Sequence, residues 1–166
     1  MHYDKGSDDQ MSDVMVMLVN NLAKNLGNSI IFTFKAQGHH WNVEGDTFTQ
    51  YHDFFGMIYE DVQESIDPMA ENIRKLDVKA PHNLVEFAQM SSLEDAPECK
   101  NVQMMLKDLF KANAQFVEDL NEGIELAEKC REYGIADFLT ERVDMQKKWH
   151  WMIRSHMKKT VPSYRK

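Results

Sequence analysis

Residues that break helices are scarce in this chain of 166 residues, which has only seven glycines and four prolines. This scarcity leaves room for long helices. No apolar run approaches the roughly 20 residues that a membrane span needs, so no membrane association is expected. The N-terminal residues have neither the basic end nor the apolar stretch of a signal peptide. Cys99 and Cys130 show neither metal-knuckle spacing nor a disulfide framework, which favours a reduced, cytoplasmic protein.

Basic residues are fewer than acidic ones, 19 Lys and Arg against 27 Asp and Glu, and the formal net charge is −8. This balance argues against tight DNA binding by the body of the protein, because DNA affinity depends mainly on cations. We expect a single domain that spans 1–166. It includes an acidic N-terminal arm, about residues 1–11, and a basic tail, about 154–166. The tail could be a solvated chain end, or it could attach DNA multivalently if many copies share one particle. Its candidate DNA contacts are Arg154, Lys158, Lys159, Arg165 and Lys166.

Four stretches have helical periodicity, at about residues 12–38, 46–76, 101–131 and 135–157. Asp46 is expected to cap the second helix and Gly134 to close the third, while Pro68 should bend the second helix. About 24 residues separate the second and third helices, and residues 84–90 could form one or two helical turns. Loops that are short, long and short predict an all-α, ferritin-like four-helix bundle with one long crossover carrying a short extra helix.

Imidazole and carboxylate side chains that suit iron, manganese or zinc occur in the first half of the chain. None of the thirteen glutamates has a histidine three residues later, so the Glu-x-x-His pairs of an intrachain ferritin site are missing. Asp67 and Glu71 share a helix face, but His52 lies about 22 Å from Asp67 along the axis at 1.5 Å per residue. We therefore expect His52 of one chain to meet Asp67 and Glu71 of a second copy across a two-fold axis.

The sequence His-Trp-Asn-Val at residues 40–43, a second histidine twelve residues after His40 and Asp-x-x-x-Glu fifteen residues later resemble the Dps family. This family consists of the DNA-protection mini-ferritins of starved cells. The resemblance implies that His40 and His52 from one subunit, with Asp67 and Glu71 from its partner, are the catalytic ferroxidase ligands. Trp41 would lie beside them and absorb stray oxidising equivalents.

The same resemblance implies a homo-oligomer in which dimers assemble into a twelve-subunit hollow shell. Such a shell oxidises Fe(II) with hydrogen peroxide or O₂ and stores Fe(III), which protects DNA from oxidative damage. Iron is the implied metal, with zinc as an alternative occupant. Acids near the start of the last helix line the iron-entry pores of the family. The corresponding candidates are Asp137, Glu141 and Asp144.

Gly56 departs from the family's motif, which has an aspartate four residues after the second histidine. The glycine removes an oxygen ligand from the second iron position, which Glu60, one turn further along, could replace. Two alternatives to the ferroxidase therefore stay open. One is a DNA-compacting structural protein with a vestigial metal site. The other is a cage that holds a single zinc or iron ion per site with negligible turnover.

Overall fold

The computed structural model describes residues 5–95 and 97–158, with side chains described from residue 13 onward. In these residues the secondary structure consists of six helices and no strand. No helix in this part of the chain combines the length and apolar character needed to cross a membrane. The helices are α1 (Lys5–Asn42), α2 (Phe48–Glu64), α3 (Ile66–Lys75), α4 (Leu84–Met90), α5 (Val102–Lys129) and α6 (Tyr133–Met157).

The long helices form a ferritin-like four-helix bundle, as the loop pattern predicts. Helix α1 packs against α2 and α5, α5 packs against α6, and α3 continues the direction of α2 along α1. The long crossover between α3 and α5 carries α4, which lies against α1 and has the bounds expected from the sequence. Apolar side chains from the long helices fill the space between them, including the fully buried Phe32, Phe55, Phe116, Leu22 and Leu109.

The crossover can approach α1 closely because α1 has a glycine at the contact. A Cβ on Gly27 would lie 2.8 Å from the carbonyl oxygen of Phe87 and 3.1 Å from the backbone nitrogen of Ser91. Both neighbours are backbone atoms that cannot rotate away, so only glycine fits without moving the crossover. At its N-terminal end, α1 begins at Lys5 and thus runs through most of the expected acidic arm, while residues 1–4 lie outside the described residues.

The second predicted helix is interrupted at Ser65, which separates α2 from α3. Pro68 has no N–H to donate to the carbonyl four residues earlier. Just before it, the N–H of Ser65 donates to the carbonyl of Val62, three residues earlier, at 3.1 Å. The helix is therefore interrupted two residues before Asp67, where a bend was expected. The expected cap at Asp46 is wrong, because the residue before α2 is Thr47, which makes no side-chain capping bond.

Gly134 does not close the third predicted helix, because it lies inside α6. Helix α5 ends instead through Arg131, whose φ of 61° is the left-handed conformation usually taken by glycine. The N–H of Glu132 donates to the carbonyl of Ala127 at 2.8 Å, which satisfies a carbonyl at the end of the helix. Gly134 was expected in this role because glycine takes that conformation without steric cost.

A buried polar network ties the crossover to α1 and α5 around Asp119. Its carboxylate accepts hydrogen bonds from Asn28 at 2.9 Å and from Ser92, and it pairs with Lys24 at 3.0 Å. Burial alone would raise the pKa of Asp119, but the bonds from Ser92, Lys24 and Asn28 outweigh it. The pKa is therefore lowered from its ordinary value of 3.8.

Replacing Asp119 by asparagine is expected to lower the free energy of unfolding at pH 7 by about 1–3 kcal/mol, the range for buried hydrogen bonds to charged groups. A carboxylate with a lowered pKa stabilises the fold above pH 3.8, and this contribution disappears as the pH falls through the folded-state pKa. The stability difference between the natural protein and Asp119→Asn should therefore shrink on acidification. Urea unfolding at pH 7 and at about pH 3 measures it; an equal difference at both pH values would contradict the assignment.

Candidate metal centre

His40 and His52 face each other where α1 ends and α2 begins. The short loop between these helices turns at Gly45, whose φ of 107° favours glycine. The two imidazole rings stack with their centroids 3.7 Å apart and an interplanar angle of 21°. The structure thus brings together two of the four predicted ligands, although they are twelve residues apart in the sequence.

Each histidine is fixed by a hydrogen bond to the backbone of the other. The Nδ1 atom of His40 lies 2.6 Å from the carbonyl oxygen of His52, and the Nδ1 atom of His52 lies 2.8 Å from the carbonyl oxygen of His40. A carbonyl oxygen can only accept, so both Nδ1 atoms must carry the proton. In the neutral rings both Nε2 atoms then have a lone pair available for a metal ion. Outer hydrogen bonds of this kind fix the tautomer and orientation of histidine ligands.

Aromatic rings enclose the pair on both sides. Phe48 stacks on His52 with a centroid distance of 4.9 Å, and Tyr59 meets the ring of His40 edge-on at 5.3 Å. Gly56 lies against His40, and a Cβ added there would be 3.3 Å from Nδ1 and 3.4 Å from Cε1. Gly56 therefore has two effects. It provides no acidic ligand, and it leaves the His40 ring space that a side chain would occupy.

Asp67 and Glu71 lie one turn apart on α3, and both side chains are exposed. Among the described residues of one chain, they do not form a cluster of three or more metal-ligating groups with the histidines. Convergence of His52 with Asp67 and Glu71 across two subunits therefore remains a prediction.

The other sequence candidates are mostly solvent-facing. Trp41 is 63% exposed beside His40, and Glu60 is exposed on α2. The pore candidates share one exposed stripe of α6, at spacings of three and four residues; they are Asp137, Glu141 and Asp144. In the tail, Arg154 and Lys158 are exposed, while Lys159, Arg165 and Lys166 lie outside the described residues.

A buried charged group that the sequence did not reveal lies next to the histidine pair. His39 points away from His40, and its Nε2 lies 2.9 Å from Oδ2 of Asp108 on α5. The other carboxylate oxygen of Asp108 pairs with the buried Lys35 at 2.9 Å. Burial alone would raise the pKa of Asp108, but the bonds from His39 and Lys35 lower it. The sequence does not show that these adjacent histidines lie in different environments. The only indication is the ~100° between successive residues of a helix.

Comparisons with known proteins agree with this architecture. The family model of the ferritin-like domain matches residues 19–161. A low temperature-induced protein of Nostoc sp. is 28% identical over 140 residues, covering 83% of this chain and 78% of the relative. DNA protection during starvation protein 2 of Bacillus anthracis is 26% identical, covering 78% of this chain and 88% of the relative. The crystal structure of a Dps protein from Vibrio cholerae O1 superposes with a TM-score of 0.83 at 24% identity, covering 88% and 92% of the two chains.

The chain belongs to the ferritin-like family, because the family model spans most of its length. Within that family, the proteins that the chain resembles include one named for DNA protection during starvation and one named Dps.

Proposed function

We propose that the protein is an iron-sequestering mini-ferritin, which oxidises Fe(II) with hydrogen peroxide or O₂ and stores Fe(III) in a hollow shell. The observation that carries the proposal is the histidine pair. His40 and His52 each commit Nδ1 to a backbone carbonyl and leave Nε2 free. Two imidazoles held in this way suit Fe(II). Because folding has already oriented both ligands, metal binding loses little entropy in ordering them.

Asp67 and Glu71 of a second subunit would complete the site with oxygen ligands, which suit the harder Fe(III) product. The exposure of both acids in one chain leaves them available to a partner. Large apolar side chains close to the histidines are also exposed, and they include Trp41 and Phe48. Because soluble monomers rarely expose such apolar groups together, they support a second copy packed here, with Trp41 close to the oxidising centre.

The relatives support iron as the substrate. The Vibrio cholerae protein is described as a member of a broad superfamily of ferritin-like diiron-carboxylate proteins, and the Bacillus anthracis protein is named for DNA protection during starvation. In the proposed reaction, two Fe(II) ions each give one electron to one hydrogen peroxide molecule, which takes up two protons and becomes two water molecules. Removal of both reactants would limit hydroxyl-radical damage to DNA. The stripe of Asp137, Glu141 and Asp144 is the proposed route of Fe(II) entry into a twelve-subunit shell.

Gly56 favours a second candidate, a cage that holds a single metal ion per site with negligible turnover. No oxygen ligand extends from this position, and a side chain there would press on His40. Under the ferroxidase proposal the second Fe(II) ion still binds, with water or Glu60 in place of the missing acid. The two candidates differ in how many irons bind each subunit and whether they are oxidised.

Anaerobic titration with Fe(II), followed by addition of peroxide or O₂, separates these candidates. We expect the natural protein to bind one Fe(II) per subunit tightly and a second weakly, and to oxidise both. Gly56→Asp should tighten the second ion by roughly tenfold, a typical size for changes around metal ligands. Gly56→Ala adds the same Cβ contact with His40 but no ligand, so it should not tighten that ion. One bound iron with no oxidation above the protein-free rate would contradict the ferroxidase proposal.

A further inference from the structure

A second cluster of metal-ligating groups lies at the end of α1, about 100° around the helix from the histidine pair. His39 from the end of α1, Asp108 from α5 and Cys99 from the crossover offer one ligand atom each, and these atoms all lie within 4.8 Å of one another. It is the only group of three or more such residues in the described part of the chain. The crossover and two bundle helices therefore meet at one potential ligand set.

The chemistry of this set differs from that of the histidine pair. One thiol, one imidazole and one carboxylate form a donor set with a soft member, which suits Zn²⁺ or Co²⁺. Zinc binds sulfur at about 2.3 Å and nitrogen or oxygen at about 2.0–2.2 Å, so two ligands of one ion are at most about 4.5 Å apart. Small side-chain rotations would bring the three atoms into that range.

The surroundings provide charge compensation and access. Lys35 holds the second carboxylate oxygen of Asp108 at 2.9 Å and is buried. With the Cys99 thiol, the Asp108 carboxylate and this ammonium, the net charge before metal binding is 0. Loss of the thiol proton and gain of a divalent cation change it to +1. A cavity of about 270 Å³ adjoins the cluster and is lined by Lys35, His39 and Cys99, among others. It offers space for a water molecule as the fourth ligand.

We propose that His39, Cys99 and Asp108 form a second site for a divalent metal of the zinc class, distinct from the iron site at His40 and His52. Binding moves the proton of the neutral His39 ring from Nε2 to Nδ1, so that Nε2 exchanges its hydrogen bond with Asp108 for a bond to the metal. Binding also replaces the thiol proton of Cys99, so that one S–H bond breaks, one sulfur–metal bond forms and one proton passes to solvent. Lys35 stays on the far oxygen of Asp108 and orients the carboxylate. An ion bound here fastens the crossover segment before α5 to the end of α1.

Titration of the assembled, metal-free protein with Co²⁺ in the absence of oxygen tests this site. Cobalt bound to a thiolate gives a near-ultraviolet charge-transfer band, and tetrahedral cobalt gives intense visible bands. We expect both, at a stoichiometry of one thiolate-bound ion per subunit. Zn²⁺ should remove both bands by displacing cobalt, and competition with a chromophoric chelator then measures the zinc affinity.

Matched variants assign the signal to its ligands. Cys99→Ser should abolish the charge-transfer band and weaken zinc binding by at least about 100-fold, since loss of even an outer-shell partner costs 10–100-fold. Cys130→Ser is the control, because Cys130 is the other cysteine and lies at the end of α5. Asp108→Asn should weaken binding, whereas His52→Asn should leave the band in place.

Two outcomes would overturn the proposal. One is the absence of a thiolate band in the natural protein. The other is a band that persists in Cys99→Ser or disappears equally in Cys130→Ser. Because the band reports thiolate ligation and not turnover, its loss in Cys99→Ser with normal Fe(II) oxidation would leave the proposed iron function intact.

Discussion

Replacing His52 by asparagine is expected to slow Fe(II) oxidation by roughly 10–100-fold or more, the range for damage to a metal ligand shell, while the fold and oligomer persist. The asparagine amide nitrogen occupies nearly the position of Nδ1 and can still donate to the carbonyl oxygen of His40. What the variant lacks is Nε2, the proposed metal ligand. Stopped-flow oxidation of Fe(II) with peroxide and with O₂ measures the change.

His82→Asn is the matched control, because His82 is exposed on the crossover. It should oxidise Fe(II) at the natural rate. His52→Ala should lose both the ligand and the bond to His40, so it should be as inactive as His52→Asn and less stable. Equal oxidation by the natural protein and His52→Asn, at equal oligomer size, would remove the histidine pair from the mechanism.

Co-expression of two inactive variants tests whether each site is shared between subunits. In a dimer of His52→Asn with Asp67→Asn, the proposed arrangement predicts one site with both changes and one with neither, because each proposed site takes its histidine and its aspartate from different chains. Random pairing in equal amounts makes half of the dimers mixed, so roughly a quarter of all sites should be intact. Activity that stays at the level of the separate variants would contradict the shared site.

Replacing Asp61 by alanine is expected to lower the free energy of unfolding by about 3–5 kcal/mol, the cost of leaving a buried charge without its partner. Asp61 on α2 accepts hydrogen bonds from Arg142 and, at 2.7 Å, from Trp149 of α6. Arg142 is 6% exposed, so water cannot replace the lost carboxylate. The remaining oxygen acceptors near its guanidinium are the backbone carbonyl of residue 61 and Gln146, at 3.4 and 3.3 Å.

Chemical denaturation at one fixed subunit concentration measures this loss, because the stability of an oligomer depends on concentration. Glu125→Ala removes an exposed acid from α5 and should change the free energy of unfolding by at most about 0.5 kcal/mol. If Asp61→Ala unfolds at the same denaturant concentration as this control, then the contacts of Arg142 and Trp149 with Asp61 are not a main source of stability.

The helices were predictable from the sequence because their information is local. Apolar residues recur at steps of three and four, and Pro68 indicates the interruption near Ser65. The side chain of Asn101 caps α5 by accepting a hydrogen bond from the backbone N–H of Met104 at 3.0 Å. The end of α5 was not predictable, since Arg131 takes a backbone conformation for which glycine is the usual signal. No local pattern in the sequence marks Arg131 for this conformation.

The candidate residues could be selected from the sequence, whereas the geometry of the histidine pair could not. The spacing of His40 and His52 relative to Asp67 and Glu71 pointed to two subunits, since the helical rise alone separates them. The exchange of Nδ1 bonds between the histidines depends on how the loop after α1 folds back, which no local pattern encodes. The same holds for the pairing of His39 with Asp108, whose positions are 69 residues apart.

The different directions of His39 and His40 make the end of α1 sensitive to chain length. One residue inserted upstream would turn this part of the helix by about 100°, so that His39 takes the direction now held by His40 while His40 leaves the pair with His52. Homologues can therefore accept many substitutions along the exposed stripe of α1, whereas insertions and deletions should be confined to the segments between helices. Such a rule gives a simple criterion for recognising which distant relatives retain both histidine environments.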